Sequence, residues 1–118
     1  MKKFEKFANM KGGNGEVLIE SFIGESEFNG MGRLFAKVTL PKGSSIGYHV
    51  HEGDFETYYF LTGKGKYVAG KGDERVESVI GPGDVTHTPE GEGHSVENIG
   101  DEDLTYIALV LFSEQRKK

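Results

Sequence analysis

The stretch GSSIGYHVHEGDFETYYFLTG, residues 43–63, decides how the chain is read. It contains two β-rich segments, 46–51 and 55–61, joined by the turn formers Gly53 and Asp54. On a strand, residues i and i+2 share a face. His49 and His51 therefore point the same way, with Val50 on the other side. Their attachment points are roughly 6 to 7 Å apart, from about 3.3 Å of rise per residue. Two imidazoles can close that gap onto an ion about 2.0 to 2.1 Å from each nitrogen. Glu56 opens the second segment, and the turn brings it back beside the two histidines. On a helix the same chemistry needs i, i+4 spacing, as in HExxH, and the chain has no such pair.

The second informative stretch is GDVTHTPEGEGHSVEN, residues 83–98, which carries His94. Only a folded barrel or sandwich delivers His94 to the other three. Taken singly, each residue has an ordinary reading: a strand-surface histidine, an exposed strand charge, a loop histidine. Three imidazoles and one carboxylate together suggest one transition metal. Nitrogen and oxygen ligands without sulfur suit Zn, Fe, Ni, Cu or Mn. Four protein ligands on a six-coordinate ion leave two positions open, as a catalytic site requires.

These two stretches resemble the paired motifs of the cupin superfamily. The first motif runs Gly, five residues, His-x-His, three or four residues, Glu, six residues, Gly. Gly43, His49, His51, Glu56 and Gly63 meet every spacing. The second runs Gly, five residues, Pro-x-Gly, two residues, His, three residues, Asn. Gly83, Pro89, Gly91, His94 and Asn98 meet it as well. In cupins the two histidines and glutamate of the first motif, with the histidine of the second, bind the metal. The resemblance implies that role for His49, His51, Glu56 and His94. It also implies an all-β fold, the cupin double-stranded β-helix or jelly-roll barrel.

Composition agrees with one such domain. The chain has 118 residues, enough for one core. Hydrophobic residues make up 36%, and the 18 glycines bring the apolar share to an ordinary level. The glycines are spread over turn positions, which suggests many short strands. The net charge of −5 argues against nucleic-acid and anionic-membrane partners. The absence of cysteine excludes disulfides and thiolate metal sites. Met1-Lys2-Lys3-Phe4 begins like a signal peptide, but Glu5, Lys6 and Asn9 interrupt any apolar core. No run approaches the roughly 18 apolar residues of a membrane span. The expected location is the cytoplasm.

Residues 1–15 show no clear period and read as an N-terminal arm; the Phe4, Phe7, Met10 spacing fits a helical turn or a docking arm. Residues 16–112 read as the single cupin domain. Strands are expected at 16–23, 33–40, 46–51, 55–61, 66–69, 75–80, 85–88, 94–98 and 104–112. The last is nearly continuous apolar, so coverage on both faces is expected. Residues 113–118 read as a charged, frayed C-terminal tail.

Three further residues are candidates for catalysis. His87, between Thr86 and Thr88, could serve as an acid/base group or be a surface histidine. Tyr58 shares parity with Glu56 and Phe60 and should line the interior, as a ligand contact or as core. Arg33 alternates with Leu34, so it faces away from the apolar side. It reads as a solvated charge or as a partner for an acidic substrate. Glu52 and Asp54 read as solvated turn residues.

For function, the resemblance implies a metal-binding cupin with one divalent transition metal (Mn, Fe, Ni or Zn). A dioxygenase- or decarboxylase-like enzyme acting on a small organic acid or enediol comes first. A sugar or sugar-phosphate isomerase or epimerase is one alternative, and a non-catalytic small-molecule-binding cupin is another. Oxalate decarboxylases of the superfamily carry an arginine three residues before the first motif histidine. Ile46 stands there in this chain, which counts against oxalate chemistry by that route. Small cupins often form homodimers through N-terminal strands, and residues 16–23 are the candidate edge.

Overall fold

The structure, a computed structural model, describes residues 3–116. It contains ten strands: β1 Lys3–Ala8, β2 Glu16–Ser21, β3 Gly32–Leu40, β4 Ser45–Val50, β5 Asp54–Thr62, β6 Gly65–Gly70, β7 Val76–Ile80, β8 Val85–Thr88, β9 Gly93–Asn98 and β10 Leu104–Phe112. Two short 3₁₀ turns, Met10–Gly12 and Glu25–Phe28, are the other regular elements. No helix among the described residues is long and apolar enough to cross a membrane. The strands form two antiparallel sheets, one in the order β1-β2-β3-β10-β5-β8 and one in the order β4-β9-β6-β7.

The alternation read from residues 33–40 appears as buried Ala36, Val38 and Leu40 on β3. Val38 and Leu40 meet Tyr58 and Phe60 of β5 and Leu104, Tyr106 and Ala108 of β10 in one core, with Ile46, Tyr67, Ile80 and Val96 from the smaller sheet. Burial of this apolar area drives the sheets together. β10 lies between β3 and β5, inside the larger sheet. That position accounts for its long apolar run, although its outer residues Ile107, Leu109 and Leu111 are only half-buried.

Three expectations need correction. The N-terminal arm is a strand: β1 pairs with β2 along its whole length, Lys3 opposite Ser21 and Ala8 opposite Glu16. It is exposed nearly throughout, so backbone pairing and not burial holds it, and no apolar period marks it. Consequently β2 is paired on both sides, by β1 and β3, and is not a free edge. The described part of the C-terminal tail is docked. The Ser113 N–H donates to Gly53 O at 3.0 Å, the Arg116 N–H donates to Gly30 O at 2.7 Å, and the Arg116 guanidinium lies 3.7 Å from the Phe112 ring centre. The remainder of the arm and tail calls, at residues 1–2 and 117–118, lies outside the described residues.

Two irregularities in the ladders shape the site. On β3, Leu34 pairs with Val110 but Gly32 pairs with Leu111, which leaves Arg33 as an extra, bulged residue. On β4, Ile46 pairs with Val96 but His49 pairs with His94, so Gly47 and Tyr48 together oppose Ser95. Bulges of this kind re-aim side chains next to functional sites.

Candidate metal centre

The four motif residues converge between the two sheets. His49 lies on β4, directly opposite His94 on β9. His51 follows β4 and stays on the ladder, its N–H donating to Glu92 O at 3.0 Å and its carbonyl accepting from the Gly91 N–H at 2.8 Å. The turn through Gly53, whose φ of 79° suits glycine, then reverses the chain into β5 and Glu56. One ligand atom from each of His49, His51, Glu56 and His94 lies within 4.8 Å of the others. His51, Glu56 and His94 are buried, and His49 is half-buried.

Three of the four ligand atoms stand close together. His51 Nε2 and His94 Nε2 are 3.0 and 3.1 Å from Glu56 Oε1, and 3.1 Å from each other. Ligands about 2.1 Å from one ion stand about 3.0 Å apart at right angles and about 3.4 Å apart in a tetrahedron. The observed triangle is compact enough for its three atoms to share one ion, and the four residues together could hold a metal.

Outer partners aim each imidazole. The His49 Nδ1–H donates to Gly47 O at 2.8 Å, and that carbonyl belongs to the β4 bulge. His51 Nδ1 faces Asp54 Oδ1 at 2.6 Å, and His94 Nδ1 faces Thr88 Oγ1 at 2.7 Å and Tyr67 Oη at 2.9 Å. A carbonyl or carboxylate partner only accepts, so the neutral rings of His49 and His51 carry their hydrogen on Nδ1. Their Nε2 lone pairs are left for the cluster centre, the arrangement that metal-ligating histidines adopt. Lone pairs and a carboxylate oxygen 3.0–3.1 Å apart repel unless a proton or a cation sits among them.

The titration of the group follows from this crowding. Burial pushes His49 down to about 4, despite the opposing Gly47 hydrogen bond. Burial also works against charge on His51, but hydrogen bonds to Glu56 and Asp54 outweigh it and raise its pKa. For Glu56, burial favours the neutral acid, yet the hydrogen bonds from His51 and His94 draw it down to about 2.

Asp54 does not behave as a solvated turn residue. It is buried, with Oδ1 on His51 and Oδ2 accepting from Arg33 Nε at 2.9 Å. Burial would raise its pKa, and the Arg33 and His51 bonds lower it. Arg33 sits at the β3 bulge and stays exposed, as the sequence suggested, while its Nε reaches Asp54 beside the cavity. Tyr58 lies where parity placed it, stacked on His94 with ring centres 5.0 Å apart at 24°. His87 is exposed on the outer face, with Nδ1 2.9 Å from Thr57 Oγ1, and does not line the cavity.

The cluster opens into a cavity of about 610 Å³. Tyr106 lines it as well, a residue that sequence reasoning passed over within the apolar run 104–112. It is fully buried, its hydroxyl makes no well-formed hydrogen bond, and its ring lies 4.2 Å centre to centre from Tyr58. The available signal was its parity: Tyr106 alternates with the core residues Leu104 and Ala108. For Asp54 the signal was its position three residues after His51, within the same turn.

Comparison with known proteins identifies the family. Residues 36–111 match the Cupin domain family. The chain is 42% identical over 107 residues to the oxalate-binding protein of Thermotoga maritima, covering 91% of this chain and 85% of that one. A solved structure from the same organism, described as a predicted oxalate decarboxylase, superposes with a TM-score of 0.83 at 41% identity, covering 94% of this chain and 93% of that one. Oxalate decarboxylase OxdC of Bacillus subtilis is 33% identical over 75 residues, which is 63% of this chain and 20% of that protein. The chain belongs to the cupin family.

Proposed function

We propose that His49, His51, Glu56 and His94 bind one divalent transition metal, and that the protein uses it to capture a small chelating organic acid of the oxalate class. The observation that carries this reading is the triangle of His51 Nε2, His94 Nε2 and Glu56 Oε1 with edges of 3.0–3.1 Å. It has the dimensions of three neighbouring ligands on a six-coordinate ion. A bound ion would supply Lewis acidity and two open positions to a ligand with two oxygens. The similarity to an oxalate-binding protein supports the ligand class.

Capture is favoured over turnover by what surrounds the cluster. Ile46 occupies the place of the family's decarboxylase arginine and is buried. Asp54 is committed to His51 and Arg33. Burial raises the pKa of Tyr58 and Tyr106 well above the ordinary value, which makes them hydrogen-bond donors and poor bases. His87, the one histidine outside the cluster, is on the outer surface. The similarity to oxalate decarboxylase favours a second reading, metal-dependent decarboxylation or oxygenation. Calorimetry of the Mn-loaded and metal-free protein with oxalate separates them, alongside assays for CO₂ release and O₂ uptake. Capture predicts metal-dependent binding and unchanged oxalate. Turnover of oxalate would replace it with the second reading, and absence of binding by the loaded protein would refute both.

A further inference from the structure

The cavity is larger than oxalate needs, and one of its walls is apolar. At about 610 Å³ it lies within the range of roughly 300–1,000 Å³ that buries drug-sized molecules. That volume corresponds to about twenty waters at roughly 30 Å³ each, and a six-atom dianion displaces only a few of them. One wall is built from Met10, Ile19, Leu34, Val38 and Ile46, contributed by the first 3₁₀ turn, β2, β3 and β4. Met10, Ile19 and Leu34 are only partly buried and pack against the core, so they present apolar surface to the cavity. Ile46 would face away on a regular strand. The β4 bulge at Gly47 and Tyr48 brings it onto the same side as His49, against the metal cluster.

Of the charged groups that also line the cavity, Lys3, Lys11, Glu25, Arg33 and Glu52 are exposed and Glu5 is half-buried, so their charges reach solvent. An apolar wall beside a chelating head offers little to a sugar, whose hydroxyls would be left without partners. Oxalate leaves this wall uncovered.

Resting on the metal-chelate reading above, we propose that the ligand is a 2-oxo or 2-hydroxy acid with an apolar tail. Its carboxylate and adjacent oxygen occupy the two open metal positions. The tail runs along Ile46, Leu34, Val38, Ile19 and Met10, in the space that oxalate leaves empty. Each methylene buried there improves affinity about fourfold.

The test uses the Mn-loaded full chain and calorimetric Kd values for oxalate, 2-oxopropanoate, 2-oxobutanoate, 2-oxopentanoate and 2-oxohexanoate. The expected result is a progressive gain that reaches about 60-fold between 2-oxopropanoate and 2-oxohexanoate. Leu34→Asn, checked for retained metal, should cut that gain at least tenfold. A flat or falling series, with oxalate still bound, would overturn the tail site and leave the metal-chelate reading intact. Failure of every acid including oxalate would overturn both.

Discussion

Asp54 Oδ1 lies 2.6 Å from His51 Nδ1, and the other oxygen of the same carboxylate accepts from Arg33 Nε at 2.9 Å. The contact holds the His51 ring with Nε2 toward Glu56 and His94, and it makes the imidazole a better electron donor. Arg33 in turn keeps Asp54 ionised and in place. Substitution of Asp54 by Asn should therefore weaken metal binding about 10- to 100-fold, measured by competition with a chelator. An unchanged affinity would mean that Asp54 is only a structural partner of Arg33.

Metal binding should be strongly pH-dependent, and His51 sets the sign. In the metal-free protein its pKa is raised above 6.5, so below that raised value it carries a proton that an incoming ion must displace. His51 alone makes affinity fall about tenfold per pH unit in that range. His49, at about 4, and Glu56, at about 2, are already deprotonated above pH 5 and add no slope there.

Stability of the metal-free protein should follow pH with a different profile. The raised His51 stabilises the fold below the unfolded value of 6.5, and that contribution is lost as pH rises through its folded pKa. The depressed His49 has the opposite sign: its unfavourable contribution grows as pH falls from 6.5 toward 4. Glu56 stabilises above its unfolded value of 4.5, and that part disappears as pH falls toward 2. The two windows do not overlap: His49 makes stability rise with pH from about 4 to 6.5, and His51 makes it fall above 6.5. Between about pH 5 and 8, Tm should therefore pass through a maximum near 6.5 while metal affinity keeps rising through that point. Parallel thermal melts and metal titrations across that range check this.

Tyr106→Phe should have opposite effects on the empty and the liganded protein. The hydroxyl is buried beside Tyr58 without a hydrogen bond of good geometry, so little stability rests on it. Its removal should leave the ligand-free melting temperature equal or higher. Because Tyr106 lines the cavity, the same change should weaken binding of a chelating acid by about 1 kcal/mol, with metal affinity unchanged. Calorimetry and thermal melts read the two effects independently.

Gly47→Ala tests the β4 bulge. A Cβ at this position would collide with the Lys11 carbonyl in the first 3₁₀ turn. Either the turn or the bulge must shift, and the bulge carbonyl is the acceptor that aims His49. The expected outcome is a loss of about 2 kcal/mol or more in stability, together with weaker metal binding. Denaturant unfolding and chelator competition measure both.

Much of this site was readable from residue spacing because a strand places side chains with a simple period of two. His49 and His51 share a face, Glu56 returns through the Gly53 turn, and Tyr58 follows Glu56 into the interior. The same rule says less where the ladder is irregular. Arg33 is exposed, as its alternation with Leu34 suggested, but nothing in single-residue alternation marks the bulge or the bond from its Nε to Asp54. Asp54 carries the composition of a turn, and its burial depends on Arg33, 21 residues away. β1 was missed because its pairing with β2 is made by the backbone, while its side chains are largely exposed. Asn98, matched as a motif position, proves structural: its amide donates to Leu40 O and Glu102 O, and its oxygen accepts from the Gly100 N–H.

The most direct test of the central claim is elemental analysis of untagged protein beside a His51→Ala variant. The arrangement of His49, His51, Glu56 and His94 predicts one equivalent of a divalent transition metal per chain, lost or strongly reduced in the variant. Absence of metal from the parent protein, even after reconstitution with Mn, Fe, Ni or Zn, would contradict the account.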